Sequence, residues 1–284
     1  MLTFSMAIFG SIGIFRRYIP LPSSSLAFFR GILGTLFLLI VAKIQKKQIN
    51  HHIGIRKIIW LVITGAVMGI NWILLFEAYN YTTVATATLC YYMQPTIVIL
   101  LSPLIFKESI TPKKWICVIL SIIGMIFVSG FVESGIPPFS ELKGILFGLG
   151  AAIFYATVVI MNKKLPGLDA YEKTIIQLLS AAVILVPYLI ISRQSFHVEW
   201  TPTVIIMLLI VGFVHTGVAY VLYFGSMDGV KAQTVAIFSY LDPIVALLLS
   251  TVILKELMSI FGIAGAILII GAALIGEMDK KIER

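Results

Sequence analysis

The sequence predicts an all-α membrane protein of ten transmembrane helices, built as two inverted five-helix repeats, residues 1–136 and 137–284. Three observations carry that expectation. Hydrophobic residues make up 60% of the 284 and charged residues only 12%, where a soluble domain carries about 25% charged. The apolar residues come in blocks of about 20 separated by short polar breaks, the length a helix needs to cross the hydrocarbon layer. The third is an internal repeat at an offset of 148 residues.

The apolar blocks place the spans at 1–18, 24–44, 57–79, 83–106, 112–131, 142–162, 171–192, 202–224, 230–253 and 258–277. The first opens on the initiator Met, and Arg16 and Arg17 follow its apolar run, an order that argues against a cleaved signal peptide. Trp60, Trp115 and Trp200 fall at span starts, where interfacial anchors belong; Trp72 lies well inside a span.

Basic residues set the direction. With both termini on one side, that side holds Lys43, Lys46, Lys47, Arg56, Lys57, Lys107, Lys113, Lys114, Lys163, Lys164, Lys173, Lys231, Lys280, Lys281 and Arg284. The other holds Arg16, Arg17, Lys143, Arg193 and Lys255, which makes 15 against 5 and predicts both termini in the cytoplasm. The net charge of +8 is accounted for by this bias, and no nucleic-acid partner is expected.

Laid against itself at 148 residues, 81–108 matches 229–256 at Thr86, Tyr92, Pro95, Leu100, Leu101, Ser102, Ile105, Lys107 and Glu108. The coincidence of Pro, Ser and Lys-Glu at one offset exceeds what apolar composition alone produces. Gly69 pairs with Gly217, Trp72 with Tyr220 and Phe76 with Phe224 at the same offset. Five spans per copy is odd, so the copies run in opposite directions, as in secondary transporters whose substrate site lies near mid-membrane between the halves.

Pro95 and Pro243 fall near the middle of their spans as helix-breaking residues, and each removes the helical partner of a carbonyl, Tyr91 and Ser239. Gln94 and Asp242 precede them. At a spacing of three, Tyr91 would share a face with Gln94 and Ser239 with Asp242, so the two halves would form one polar patch. Asp242 is the strongest functional signal, because an intramembrane carboxylate is costly and marks substrate or ion pathways. Tyr240, Asn71, Trp72 and Tyr220 complete the expected substrate-binding set, the last two on aromatic stripes with Phe76, Tyr79 and Phe224. Arg30, about six residues into its span, is expected to snorkel to the interface, Glu77 to sit near it, and His215 to be a hydrogen-bonded helix residue.

Several classes lack their parts. Cys90 and Cys117 lie in apolar blocks and imply no disulfide framework, and His51, His52, His197 and His215 form no metal cluster. No Walker motif, HExxH or GxSxG occurs, so neither ATP-driven pumping nor the usual hydrolase chemistry is expected, and no cofactor is implied. The glycines of 65–69, 144–148 and 262–276 have spacings that let helices approach closely.

The chain resembles the drug/metabolite transporter superfamily, specifically its EamA-type ten-helix carriers. The resemblance rests on Phe9 and Gly10 followed by Arg16, on Arg30, on "QPTIVILLSPLIFKE" ending at Glu108, and on "LDPIVALLLSTVILKE" ending at Glu256. Phe9 stands where a Trp is usual. The resemblance implies a ten-helix bundle with both ends cytoplasmic in the cytoplasmic (plasma, or cell inner) membrane, and a central cavity. It implies efflux of amino acids, metabolites or toxic small molecules. The expected function is a secondary transporter, an exporter of a small metabolite or amphipathic compound working by alternating access, as monomer or homodimer. Asp242 would meet a proton or a substrate amine, so proton coupling is open. A lipid-translocating member of the fold, an intramembrane enzyme and a non-transporting receptor are the rivals.

Overall fold

In the computed structural model, residues 1–46, 54–107, 109–165, 168–192, 200–225 and 241–278 are described, and among them there is no strand. The helices are α1 Leu2–Arg17, α2 Ser23–Ile44, α3 Ile55–Tyr81, α4 Val84–Tyr91, α5 Gln94–Phe106, α6 Pro112–Val128 and the single turn α7 Phe131–Ser134. They continue as α8 Phe139–Lys163, α9 Ala170–Ser192, α10 Pro202–Leu209, a π-helix Ile210–Val218, α11 Ala219–Gly225, α12 Leu241–Ile253 and α13 Ile260–Met278.

Among the described residues, six stretches are long and apolar enough to cross a membrane: Ser23–Ile44, Ile55–Tyr81, Val84–Phe106, Phe139–Asn162, Tyr171–Ile191 and Pro202–Tyr223. Leu241–Ile253 and Ile260–Ala272 are shorter apolar helices. Large aliphatic side chains cover the outside, among them Ile40, Ile63, Leu104, Ile119, Ile184, Ile191 and Leu248. A water-soluble fold would not leave so continuous an apolar surface, whereas lipid tails meet it without cost.

Local chemistry sets the helix ends. Thr83, Thr111 and Thr201 each accept a hydrogen bond from the backbone N–H three residues on, capping α4, α6 and α10. Pro112 and Pro202 occupy first-turn positions, where a missing N–H costs nothing. α5 ends at Lys107 and α12 just before Lys255, and these two lysines share the left-handed conformation, with φ of 58° and 56°. They are 148 residues apart.

The core lies where α3 packs on α8 and α9, α2 on α9 and the π-helix, and α1 on α12. Leu26, Leu38, Phe76, Val84, Leu178 and Val211 are fully enclosed there. Small residues permit these approaches. A Cβ on Gly65 or Gly69 would strike the α9 backbone at Gln177 or Ala181, and one on Gly144 or Gly148 would strike Thr82 or Cys90. Gly124 of α6 and Gly265 of α13 face each other's carbonyls.

Two features depart from uniform spans. The fourth expected span is two helices, α4 and α5, separated at Tyr92 and Met93. The eighth contains nine residues of π-helix, a widened turn that inserts an extra residue per hydrogen-bonded ring and recurs at functional sites.

Replacing Gly124 by Leu is expected to lower stability by about 1–3 kcal/mol, through overpacking against α13. Gly271→Ala on α13, where an added Cβ meets nothing within 4 Å, is expected to leave stability unchanged. Thermal loss of the monodisperse peak in detergent, read for both variants, checks the pair.

Candidate functional site

The site grows from the break between α4 and α5. Tyr92 and Met93 form a tight turn in which the Met93 N–H donates to the Cys90 carbonyl (3.1 Å), and Pro95 then sits in the first turn of α5. The proline therefore starts a helix instead of bending one, and its absent N–H falls where no intrahelical partner was due. The span is broken beside Pro95, as two helices joined by a turn. The break removes the argument that Tyr91 and Gln94 share a face, since Tyr91 closes α4 and Gln94 opens α5. Gln94 makes no side-chain hydrogen bond among the described residues.

In the second half, Asp242 and Pro243 stand at the N-terminal end of the described part of α12. The hydroxyl of Tyr92, from the break in the first half, hydrogen-bonds the Asp242 carboxylate. The α1 backbone runs directly over this point: a Cβ on Gly10 would strike the Asp242 carbonyl and Val245. Phe9 beside it packs edge-on against Tyr220 (5.5 Å between ring centroids) and Tyr223 (6.3 Å). Ser239 and Tyr240, expected to complete this patch, lie outside the described residues, as do His51, His52, His197 and Glu108.

Arg30 stands on the opposite wall. It is the eighth residue of α2, about 10 Å below the helix start at 1.5 Å per residue. Its exposure is 6%, so it does not snorkel. The guanidinium lies over Trp72, 4.4 Å from the ring centroid, and 5.9 Å from Phe76. Its Nε donates to Thr216 Oγ1 at 2.9 Å, and Thr216 donates in turn to the Val211 carbonyl five residues back, a spacing that the π-helix creates. The same widened helix carries His215, whose Nε2 is 2.9 Å from Ser11 Oγ of α1 and whose Nδ1 is 3.4 Å from the Ile210 carbonyl.

Between these walls stand Tyr91, Tyr92, Tyr155 and Tyr220. Tyr91 lies 5.3 Å from Tyr155 and 5.9 Å from Tyr92 between ring centroids. These tyrosines and Asp242 are surrounded by protein, yet each keeps accessible surface. Side chains densely surrounded by protein yet partly accessible are those expected at the wall of an internal cavity. Arg30 and Asp242 are within electrostatic reach of each other, with no ion pair joining them among the described residues.

Of the expected set, Trp72, Tyr91, Tyr220 and Asp242 therefore converge on one space. Asn71 does not join them: fully buried, it donates to the Ala151 carbonyl at 2.6 Å and ties α3 to α8. Arg30, Tyr92, Tyr155 and Thr216 join the site without having been expected there. Tyr92 had a signal, since it is one of the identities in the repeat.

Glu256 closes one end of the bundle. Lys255 turns the chain back so that the Glu256 N–H reaches the Ser250 carbonyl at 3.2 Å. The Glu256 carboxylate then accepts from the Ser250 hydroxyl, from the Val84 N–H at 2.9 Å, and from Arg17 at 2.8 Å. One carboxylate thus ties α12, the start of α4 and the end of α1. Arg17 also donates to the Thr82 carbonyl at 3.0 Å. Next to it, Arg16 donates to Asn80 (3.0 Å) and to the Ile19 carbonyl (2.6 Å).

The model of the EamA-like transporter family matches residues 1–130 and again 142–276. The chain belongs to the EamA-like transporter family. Among relatives of EamA-like type, "Uncharacterized transporter YxxF" of Bacillus subtilis strain 168 is 30% identical over 250 residues, covering 87% of this chain and 79% of that protein. "Protein RarD" of Escherichia coli K12 is 24% identical over 203 residues, 71% of this chain and 65% of that one. A crystal structure at 16% identity superposes over 100% of this chain and 98% of its own with a TM-score of 0.67, a likeness of fold. This EamA-like chain is accordingly a multi-pass membrane transporter, and its family indicates transport in place of enzymatic chemistry.

Replacing Glu256 by Gln removes a charged acceptor from the Val84 N–H and from Arg17, interactions worth about 1.5–3 kcal/mol each when charged. Amide hydrogen exchange across the first turn of α4 is expected to speed up roughly tenfold or more. Exchange in the middle of α8 should not change.

Proposed function

We propose that the chain is a secondary transporter that exports a small metabolite or amphipathic compound by alternating access, ten spans acting as two inverted five-helix repeats, residues 1–136 and 137–284. Several features support the two halves. The family match falls separately on 1–130 and 142–276. α5 carries Pro95 and α12 carries Pro243, 148 residues apart, and each helix is followed by a left-handed lysine. The chain sits in the cytoplasmic membrane with both termini inside, as the excess of basic residues on that side demands.

The observation that carries the reading is the meeting of Tyr92 from the first half with Asp242 from the second at the wall of an enclosed aromatic space. The break between α4 and α5 meets α12 there, one element from each repeat, as in transporters whose halves rock about a fixed central site. The carboxylate is the group in that space able to take up and release a proton as it meets water on alternate sides. Glu256, pairing with Arg17 and capping α4, holds the outer end closed. Outward opening then requires that this carboxylate let go of α1 and α4.

In proteoliposomes, Asp242→Asn is expected to lower transport by roughly tenfold or more, because a charged partner is removed from an enclosed site. Its remaining transport should lose dependence on pH. Transport and pH dependence equal to those of the native protein would remove Asp242 from the mechanism.

A further inference from the structure

Arg30 is held in a way that leaves its most useful edge free. A guanidinium has five N–H groups, and its two terminal amino groups form a planar fork matched to the two oxygens of a carboxylate. In most buried ion pairs that fork faces a carboxylate of the protein. Here the orientation is set by other means: Nε donates to Thr216 Oγ1 at 2.9 Å, and one face of the plane rests on Trp72. Among the described residues neither terminal amino group donates to a protein acceptor. The residues that bear on the guanidinium electrostatically are Tyr220, Tyr91, Tyr79 and Asp242, and three of these, Tyr220, Tyr91 and Asp242, line the cavity.

Holding a cation this way is costly. A charge at 6% exposure inside an apolar bundle is destabilising unless it is paired, and a cation–π contact with a single neutral hydrogen bond offsets only part of that. A group kept charged, oriented and, among the described residues, short of a pairing anion is prepared to receive one. The π-helix contributes directly, since its five-residue ring aims the Thr216 hydroxyl at Nε.

We infer that Arg30 is an anion subsite of the cavity, where its terminal amino groups take a carboxylate of the transported compound in a two-point hydrogen-bonded pair. This rests on the carrier reading of the same cavity. The class follows from the surroundings. A planar, singly charged oxyanion fits one fork, while a phosphate dianion would add a second negative charge in a space already holding Asp242. Trp72, Tyr91, Tyr155 and Tyr220 offer aromatic walls to the rest of the molecule, so the compound is a small monocarboxylate with an aromatic or apolar body.

The test uses purified protein in nanodiscs and three probes of matched shape: 3-phenylpropionate, its neutral amide 3-phenylpropionamide, and phenethylamine. Binding is followed by calorimetry and by thermal stabilisation, which ligand binding to the folded state produces. The carboxylate is expected to bind at least roughly tenfold more tightly than the amide, and Arg30→Gln to abolish that preference. Thr216→Val, which keeps the fork but removes the Nε acceptor, is expected to weaken the carboxylate several-fold and leave the amide unchanged, so the result survives if Arg30→Gln does not fold. Equal binding of carboxylate and amide, or no binding of either, overturns the subsite. A preference for phenethylamine that Asp242→Asn removes also overturns it while leaving the carrier standing, whereas loss of transport function altogether is read separately in the proteoliposome assay.

Discussion

A charge in the middle of a bilayer has to find its stabilisation inside the protein, because hydrocarbon offers none. Two such charges, Arg30 and Asp242, organise this bundle. Asp242, on α12, is kept by the hydroxyl of Tyr92 from the break in the first half. Arg30 is kept by an indole face and a threonine. Each arrangement requires another irregularity: the break between α4 and α5 that places Tyr92 in one case, a π-helix in the other. The irregular backbone is tolerable only because it faces protein and an internal space instead of lipid.

Seen from the centre outward, the packing serves these charges. Gly10 lets α1 lie against the Asp242 carbonyl, which brings Phe9 onto Tyr220 and Ser11 onto His215. α1 thereby touches both walls of the cavity and, through Arg17 at its end, the Glu256 carboxylate that caps α4. A displacement of α1 would therefore be felt at the central aromatic space and at the closed end together. Coupling of a central site to an end of the bundle needs such a shared rigid element with two arrangements, and α1 is the helix placed to supply it.

Much of this was legible in the sequence. Among the described residues, apolar blocks located most helix ends to within a few residues, because the hydrocarbon layer dictates their length. Pro95 and Asp242 marked the centre, because each is costly in lipid without a reason. What failed was direction around the helix axis. Depth alone made Arg30 a snorkelling residue, and only the placement of Trp72 and Thr216 opposite it shows that it turns inward. A constant helical face joined Tyr91 to Gln94, but Pro95 begins a new helix between them. Asn71 looked available for substrate, yet the Ala151 carbonyl on α8 takes its amide. The π-helix has no local signature at all in "IVGFVHTGV". The Lys-Glu ending of the repeat was visible as a coincidence, and its purpose became clear only with Arg17 and Val84 beside Glu256.

The claim on which the rest depends is that Asp242 borders a hydrated space enclosed within the bundle. Cysteine accessibility tests it most directly. With Cys90 and Cys117 replaced by Ser, Asp242→Cys is expected to react with a small polar thiol reagent such as a methanethiosulfonate, while Leu248→Cys, on the outward face of the same helix at 60% exposure, stays unreactive to it. An inert Asp242→Cys beside a properly folded, monodisperse protein would contradict the account, because the centre of the bundle would then be dry and closed to any cargo.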